Sequence, residues 1–208
     1  MLLADIGNTR IHIYDGNKVV HLTHDDAIAQ YANQKLKYIT VKHQLKGQLE
    51  RLEHWEDISD LMRIPNEYVT MGIDRKALCL SHENGIFVSA GSAITVDVVE
   101  EGNYLGGFLL PGLKSYIEAY ASISPALATK LNIKVSLSVL PTSTQNAISF
   151  GIISSIKALI EKYQEGKKLY ISGGDGALLS SFFDNVIFDE TLIFQGMENI
   201  LKGNKCHS

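Results

Sequence analysis

Leu2-Leu3-Ala4-Asp5-Ile6-Gly7-Asn8-Thr9-Arg10-Ile11-His12-Ile13 is the stretch from which the fold can be read. An apolar run leads into Asp5, and Gly7, Asn8 and Thr9 form a tight polar turn. Alternation then resumes, with Ile11 and Ile13 on one side and Arg10 and His12 on the other. The pattern predicts strand, turn, strand, with an acid at the mouth of the turn. Such a turn can aim backbone N–H groups and the Thr9 hydroxyl at a phosphate. Asp5 would repel a phosphate, so beside one it would hold a cation. Mg²⁺ usually takes one or two carboxylates together with phosphate oxygens. Taken alone, the stretch reads first as an ordinary hairpin in which Asp and Asn favour the turn.

A partial copy changes that balance. With Gly91 laid on Gly7, Phe87 to Asp97 overlies Leu3 to Ile13, so that Ser89 falls on Asp5 and Ser92 on Asn8. Glu101-Gly102-Asn103-Tyr104 then echoes Asp15-Gly16-Asn17-Lys18. Internal repetition reshapes a fold assignment. It points here to duplicated α/β halves, each offering a turn rich in hydroxyl and amide groups, with nucleotide phosphates fitting between them. No Pro- or Ser-rich linker marks the join, and the boundary is set just before Ser81, giving domains 1–80 and 81–208.

Between the turns the pattern is mixed. Asp25 is expected to cap a helix through Ala27, Ile28, Tyr31 and Ala32, Lys37 to Val41 to form a strand, and Gly47 to Trp55 to form a helix. Asp74 stands near the start of a helix through Leu80, where an anion is favoured. Helices are expected over Leu113 to Ser122, from Ala147 onward behind a capping residue, over Ala177 to Phe183 and over Thr191 to Leu201. Strands are expected over Lys168 to Ser172 and Asn185 to Phe188. The last helix can pack back on the first domain.

The composition is that of a globular chain, 45% hydrophobic and 20% charged over 208 residues. A net charge of −4 without a Lys/Arg cluster argues against nucleic acid or an anionic membrane surface as partner. No signal peptide or membrane span is expected. Cys79 and Cys206 have no metal-ligand spacing, and a reduced cytoplasmic setting is the default. Cys79 reads as core and Cys206 as part of an exposed polar tail. The histidines show no metal spacing, and His12 is expected to point away from the cleft.

Four blocks, in this order and spacing, resemble type III pantothenate kinase, within the superfamily of acetate and sugar kinases, actin and Hsp70-type chaperones. They are Asp5-Ile6-Gly7-Asn8-Thr9, Gly72-Ile73-Asp74-Arg75, Gly91 to Asp97 with Gly106-Gly107 and Pro111-Gly112, and Ser172-Gly173-Gly174-Asp175. The resemblance implies two ribonuclease-H-like, actin-like ATPase domains with a nucleotide cleft between them, and a homodimer. The implied reaction is ATP-dependent phosphorylation of pantothenate, the first step of coenzyme A synthesis.

By the same resemblance, Asp5 would hold Mg²⁺, Gly7, Asn8 and Thr9 would contact phosphate from one wall, and Gly91 and Ser92 from the other. Gly173 and Gly174 would let the backbone approach the adenosine. Asp74 would be the general base, although a helix-start carboxylate explains it equally. Gly72 and Arg75 would meet the substrate, Arg75 through its carboxylate, while Lys76 reads as plain surface. Tyr68 fits a substrate-lining position or the core, and Thr144 a substrate contact across the dimer or a helix N-cap. Asp97 fits catalytic support or hairpin structure. Ser89 departs from the family, which usually has an acid there that helps hold a monovalent cation, K⁺ or NH₄⁺.

Overall fold

The protein is described from a computed structural model covering residues 1–203. Cys206 lies outside the described residues. The chain divides into two compact units. One comprises Met1–Glu83, Val99–Leu105 and the described chain from Glu190; the other comprises Asn84–Val98 and Gly106–Asp189.

In the first unit the opening stretch forms β1 (Leu2–Ile6), β2 (Ile11–Tyr14) and β3 (Val19–Leu22), an antiparallel meander. Helix α1 (His24–Tyr31) carries the chain to β4 (Leu36–Thr40), which lies parallel to β1. The cap of α1 is Thr23 rather than Asp25, its hydroxyl accepting from the Asp26 N–H at 3.2 Å. The helix expected over Gly47 to Trp55 is reduced to the single turn α2 (Lys46–Leu49). Trp55 instead opens β5 (Trp55–Asp57), parallel to β4 and paired with Leu36. Burial of Trp55, with its indole N–H donating to the Tyr31 carbonyl at 3.0 Å, outweighs the local helical spacing. Helix α3 (Ile73–Cys79) follows. The sheet order is β3-β2-β1-β4-β5.

The next strands are β6 (Gly85–Ala90), β7 (Ala93–Glu100) and β8 (Asn103–Pro111). The β7–β8 turn, Glu101-Gly102, has φ of 50° and 72°, the left-handed pair of a tight hairpin. Its tip belongs to the first unit. Helices α4 (Leu113–Ile123) and α5 (Thr144–Gln164) precede β9 (Leu169–Ser172), α6 (Gly176–Ser180) and β10 (Val186–Phe188). The second sheet has the order β10-β9-β6-β7-β8. Counted from its meander edge this is β8-β7-β6-β9-β10, strand for strand the order of the first sheet. The internal copy is therefore a copy of topology as well as of turns.

Each sheet buries one face in its own core. Ala4, Ile6, Ile11 and Ile13 pack with α1 in the first unit, and Ile86, Val88, Ala90, Ile94 and Val96 pack with α5 in the second. Alternation then puts Asp5, and likewise Ser89 and Thr95, on the opposite faces. The last helix, α7 (Leu192–Leu201), packs on α3 within the first unit. A Cβ on Gly196 would lie 1.8 Å from the Ala77 carbonyl oxygen, so the two helices meet backbone to backbone. Asn199 donates to the Leu80 and Ser81 carbonyls at 3.0 and 3.1 Å, closing the end of α3. Among the described residues no helix is long and apolar enough to cross a membrane.

Candidate active site

The first turn is closed by the Gly7 N–H donating to the Arg10 carbonyl at 3.0 Å. Asn8 and Thr9 are exposed at its tip. Gly7 has ordinary room for a side chain, 3.4 Å from Arg10 O, so the local backbone gives little reason for a glycine there. The open space is what a ligand approaching the turn would need. From behind, His24 Nε2 donates to the Gly7 carbonyl at 3.0 Å and Lys42 Nζ to the Asn8 carbonyl at 2.8 Å.

Asp5 sits at the end of β1, only 7% exposed, and its Oδ1 is buried with no hydrogen-bond partner. Burial, and then the nearby Asp74 carboxylate, push its pKa up to about 7. Asp74, in the first turn of α3, is also raised by burial, against the pull of the Arg75 N–H and the Arg75 charge. That N–H donates to Asp74 Oδ1 at 2.9 Å. Gly72 makes this possible, because a Cβ there would lie 2.6 Å from Asp74 Oδ1. An orphaned, desolvated carboxylate oxygen facing a second carboxylate is a site that a divalent cation would complete. Among the described residues no cluster of three or more metal-ligating side chains exists.

Arg75 is buried, 5% exposed. Its Nη1 donates to the Tyr68 hydroxyl and its Nη2 to the Tyr104 hydroxyl at 3.3 Å. The guanidinium also lies 5.7 Å from the centre of the Tyr68 ring. Two neutral oxygens thus orient a rigid cationic fork, the geometry that suits a carboxylate. Tyr68 is not core, being 40% exposed. Tyr104, at the hairpin tip, was not foreseeable from sequence: it lies 29 residues beyond Arg75 and belongs to no motif. Lys76, read as surface, is instead buried and paired with Glu67 at 2.7 Å. Burial of a lysine requires such a partner. His12 is registered directly opposite Asp5 on β2, so both side chains share one face. Its Nδ1 lies 2.6 Å from His21 Nδ1, and burial, His21 and Arg10 lower its pKa to about 4.

The second unit holds the second turn and the glycine pair. Gly91 N–H donates to the Ala93 carbonyl at 3.0 Å, and Gly112 N–H to the Ser92 carbonyl at 3.2 Å. A Cβ on Gly112 would lie 2.3 Å from Gly91 O, so the Pro111-Gly112 corner lies directly against the turn. Gly173, at φ +94°, packs on the end of β6, where a Cβ would meet Ala90 O at 2.4 Å. Gly174 is open, and the Asp175 N–H donates to that same Ala90 carbonyl at 3.0 Å. Ser89 is half-buried and registered opposite Ser172 on β9. Thr95 Oγ1 is buried without a partner, and Asp97 is fully buried. Thr144 is the exposed first residue of α5, and the cap position belongs to Ser143.

Twin sheets of identical order, each presenting a glycine turn, define a duplicated α/β fold class, of the kind found in a sugar kinase structure. A 2-dehydro-3-deoxygalactonokinase structure from Sinorhizobium meliloti has this fold, with a TM-score of 0.58 at 10% identity over 98% of both chains. Within that class the chain belongs to the type III pantothenate kinase family. The family's model matches residues 60–165. The type III pantothenate kinase of Campylobacter jejuni is 41% identical over 204 residues, covering 98% of each chain. A C. jejuni crystal structure described as a conserved Baf family transcriptional activator superposes with a TM-score of 0.89, at 40% identity over 98% of both chains. Membership of this kinase family implies ATP and a divalent metal.

Proposed function

We infer that the chain transfers the γ-phosphoryl group of ATP to the primary hydroxyl of pantothenate, giving 4'-phosphopantothenate for coenzyme A synthesis. The observation that carries this reading is the Asp74-Arg75 pair, a carboxylate whose pKa burial raises followed at once by a guanidinium oriented by two tyrosine hydroxyls. Pantothenate bears a hydroxyl and a carboxylate, one for each group. Arg75, oriented by Tyr68 and Tyr104, binds the substrate carboxylate. Asp74 accepts the hydroxyl proton as that oxygen attacks the γ-phosphorus, and its raised pKa brings it nearer to neutrality, where a general base works best. Gly7, Asn8 and Thr9 are the first unit's phosphate contacts, and Gly91 and Ser92 are those of the second. Gly173 and Gly174 leave room for adenosine. Asp5 holds Mg²⁺, which when bound neutralises charge on the phosphates. Phosphoryl transfer depends mainly on positioning and electrostatics, so these contacts constitute most of the catalytic device.

Ser89 and Ser172 offer neutral oxygens where a monovalent cation would bind, so K⁺ or NH₄⁺ is held weakly there if it is used. The exposed apolar residues Ile123, Val139 and Leu140 support a homodimer through the second unit, with Thr144 reaching the partner's substrate. The setting inferred for this reaction is the cytoplasm, where a buried thiol such as Cys79 stays reduced. A second reading, an ATP-switched regulatory module, is favoured only by the description of the C. jejuni structure. A coupled assay of ADP formation separates the two. Pantothenate should stimulate turnover, and its carboxylate-free alcohol analogue should do so far less. Equal ADP formation with and without pantothenate, across several cations, would refute the kinase reading.

A further inference from the structure

Lys42 and His24 belong to none of the four motifs, yet both end on the first turn. His24 Nε2 donates to the Gly7 carbonyl at 3.0 Å and Lys42 Nζ to the Asn8 carbonyl at 2.8 Å. Neither contact is loosely built. His24 opens α1 directly after the Thr23 cap. Lys42 follows β4, where Val41 N–H donates to the Ile6 carbonyl at 3.2 Å, Lys42 N–H to Thr40 Oγ1 at 3.0 Å and Thr40 Oγ1 to the same Ile6 carbonyl at 3.4 Å. The segment carrying Lys42 is therefore tied to the end of β1, just before the turn.

All peptide bonds here are trans. In a trans peptide the C=O of one residue and the N–H of the next point in opposite directions. A Gly7 carbonyl held by His24 therefore turns the Asn8 N–H away from His24. An Asn8 carbonyl held by Lys42 likewise turns the Thr9 N–H to the far side. Neither N–H has a partner among the described residues. The second turn has the same arrangement by other means: Ser92, the residue matched to Asn8, has its carbonyl held by the Gly112 N–H at 3.2 Å. Side chains in one copy do what the backbone does in the other.

We propose that Lys42 and His24 are positioning residues that clamp the two carbonyls of the Gly7-Asn8-Thr9 turn, so that the Asn8 and Thr9 N–H groups form an anion nest for a nucleotide phosphate. Lys42 also leaves its positive charge on the turn, behind those N–H groups, where it offsets the field of the neighbouring acids Asp5 and Asp74. The proposal rests on the kinase reading only for the identity of the ligand.

The test uses the full chain and MgADP titrated calorimetrically, with steady-state kinetics alongside. Lys42→Met and His24→Ala should each weaken MgADP about tenfold, the scale of one charged or well-made hydrogen bond. They should raise KM for ATP by a similar factor, with KM for pantothenate and the thermal midpoint unchanged. Lys42→Arg and His24→Gln, which keep a donor, should recover most of the loss. A merely structural role would lower the midpoint and disturb both KM values together. Unchanged MgADP affinity in both Lys42→Met and His24→Ala overturns the proposal, as does a native chain that does not bind MgADP. A native chain that binds MgADP but lacks pantothenate-dependent turnover would instead refute the kinase reading and leave the nest standing.

Discussion

In the proposed reaction Asp5 and Asp74 carry the chemistry, and both are carboxylates that burial disfavours as anions. Asp74→Asn keeps the shape and removes the base. Turnover should fall by about 10²–10⁴, the usual range for general acid–base catalysis, while MgADP still binds. Near-native turnover would remove Asp74 from the mechanism. Asp5 lends itself to a linkage experiment. Its folded pKa of about 7 lies above the ordinary 3.8 of an aspartate, so between these values the folded state holds more protons than the unfolded state. Stability from this group is present at low pH and is lost as pH rises from about 4 to about 7. His12, lowered to about 4, contributes with the opposite sign over part of the same range, so the native profile alone would mislead. The informative quantity is the difference between Asp5→Asn and the native chain, read from urea midpoints. The variant should gain relative stability as pH rises through that window, at up to about 1.4 kcal/mol per pH unit, and level off above it. A difference independent of pH would contradict the buried, proton-holding state of Asp5.

At the scale of the element, two glycines mark where backbone meets backbone. Gly196 lets α7 lie on α3, the helix that carries Asp74 and Arg75. Gly196→Ala should lower stability by at least about 1–3 kcal/mol, seen as a lower denaturant midpoint, because neither helix can yield without moving a carbonyl. Gly112→Ala should act differently. Its Cβ would press on Gly91 O and Ser92 O, so weaker MgADP binding should exceed any loss of thermal stability. Unchanged MgADP affinity in that variant would separate the Pro111-Gly112 corner from the phosphate turn. These elements also show what sequence can and cannot reveal. Alternation around Gly7 and Gly91 is local, so both hairpins were readable. The early end of α2 was not, because Trp55 pairs with Leu36, nineteen residues back. Thr23 took the cap expected of Asp25, a choice between neighbours that local pattern does not resolve.

At the scale of the molecule, the duplication was legible because it recurs in turn residues and then in strand order. The two carboxylates and Arg75 were legible through their motifs. The supports around them were not. Tyr104, His24 and Lys42 reach the site from a hairpin tip, a helix start and a strand end, positions that only the fold brings together. That His12 shares a face with Asp5 follows from the four-residue turn between β1 and β2, whose length fixes the facing side chains. The account as a whole stands on one reaction. Incubating the native chain with Mg·ATP and pantothenate and weighing the products by mass spectrometry tests it most directly. The account predicts one phosphorylated pantothenate for each ADP, and strongly reduced amounts of both with Asp74→Asn. ADP accumulating without phosphorylated pantothenate, or no ADP at all, would contradict it.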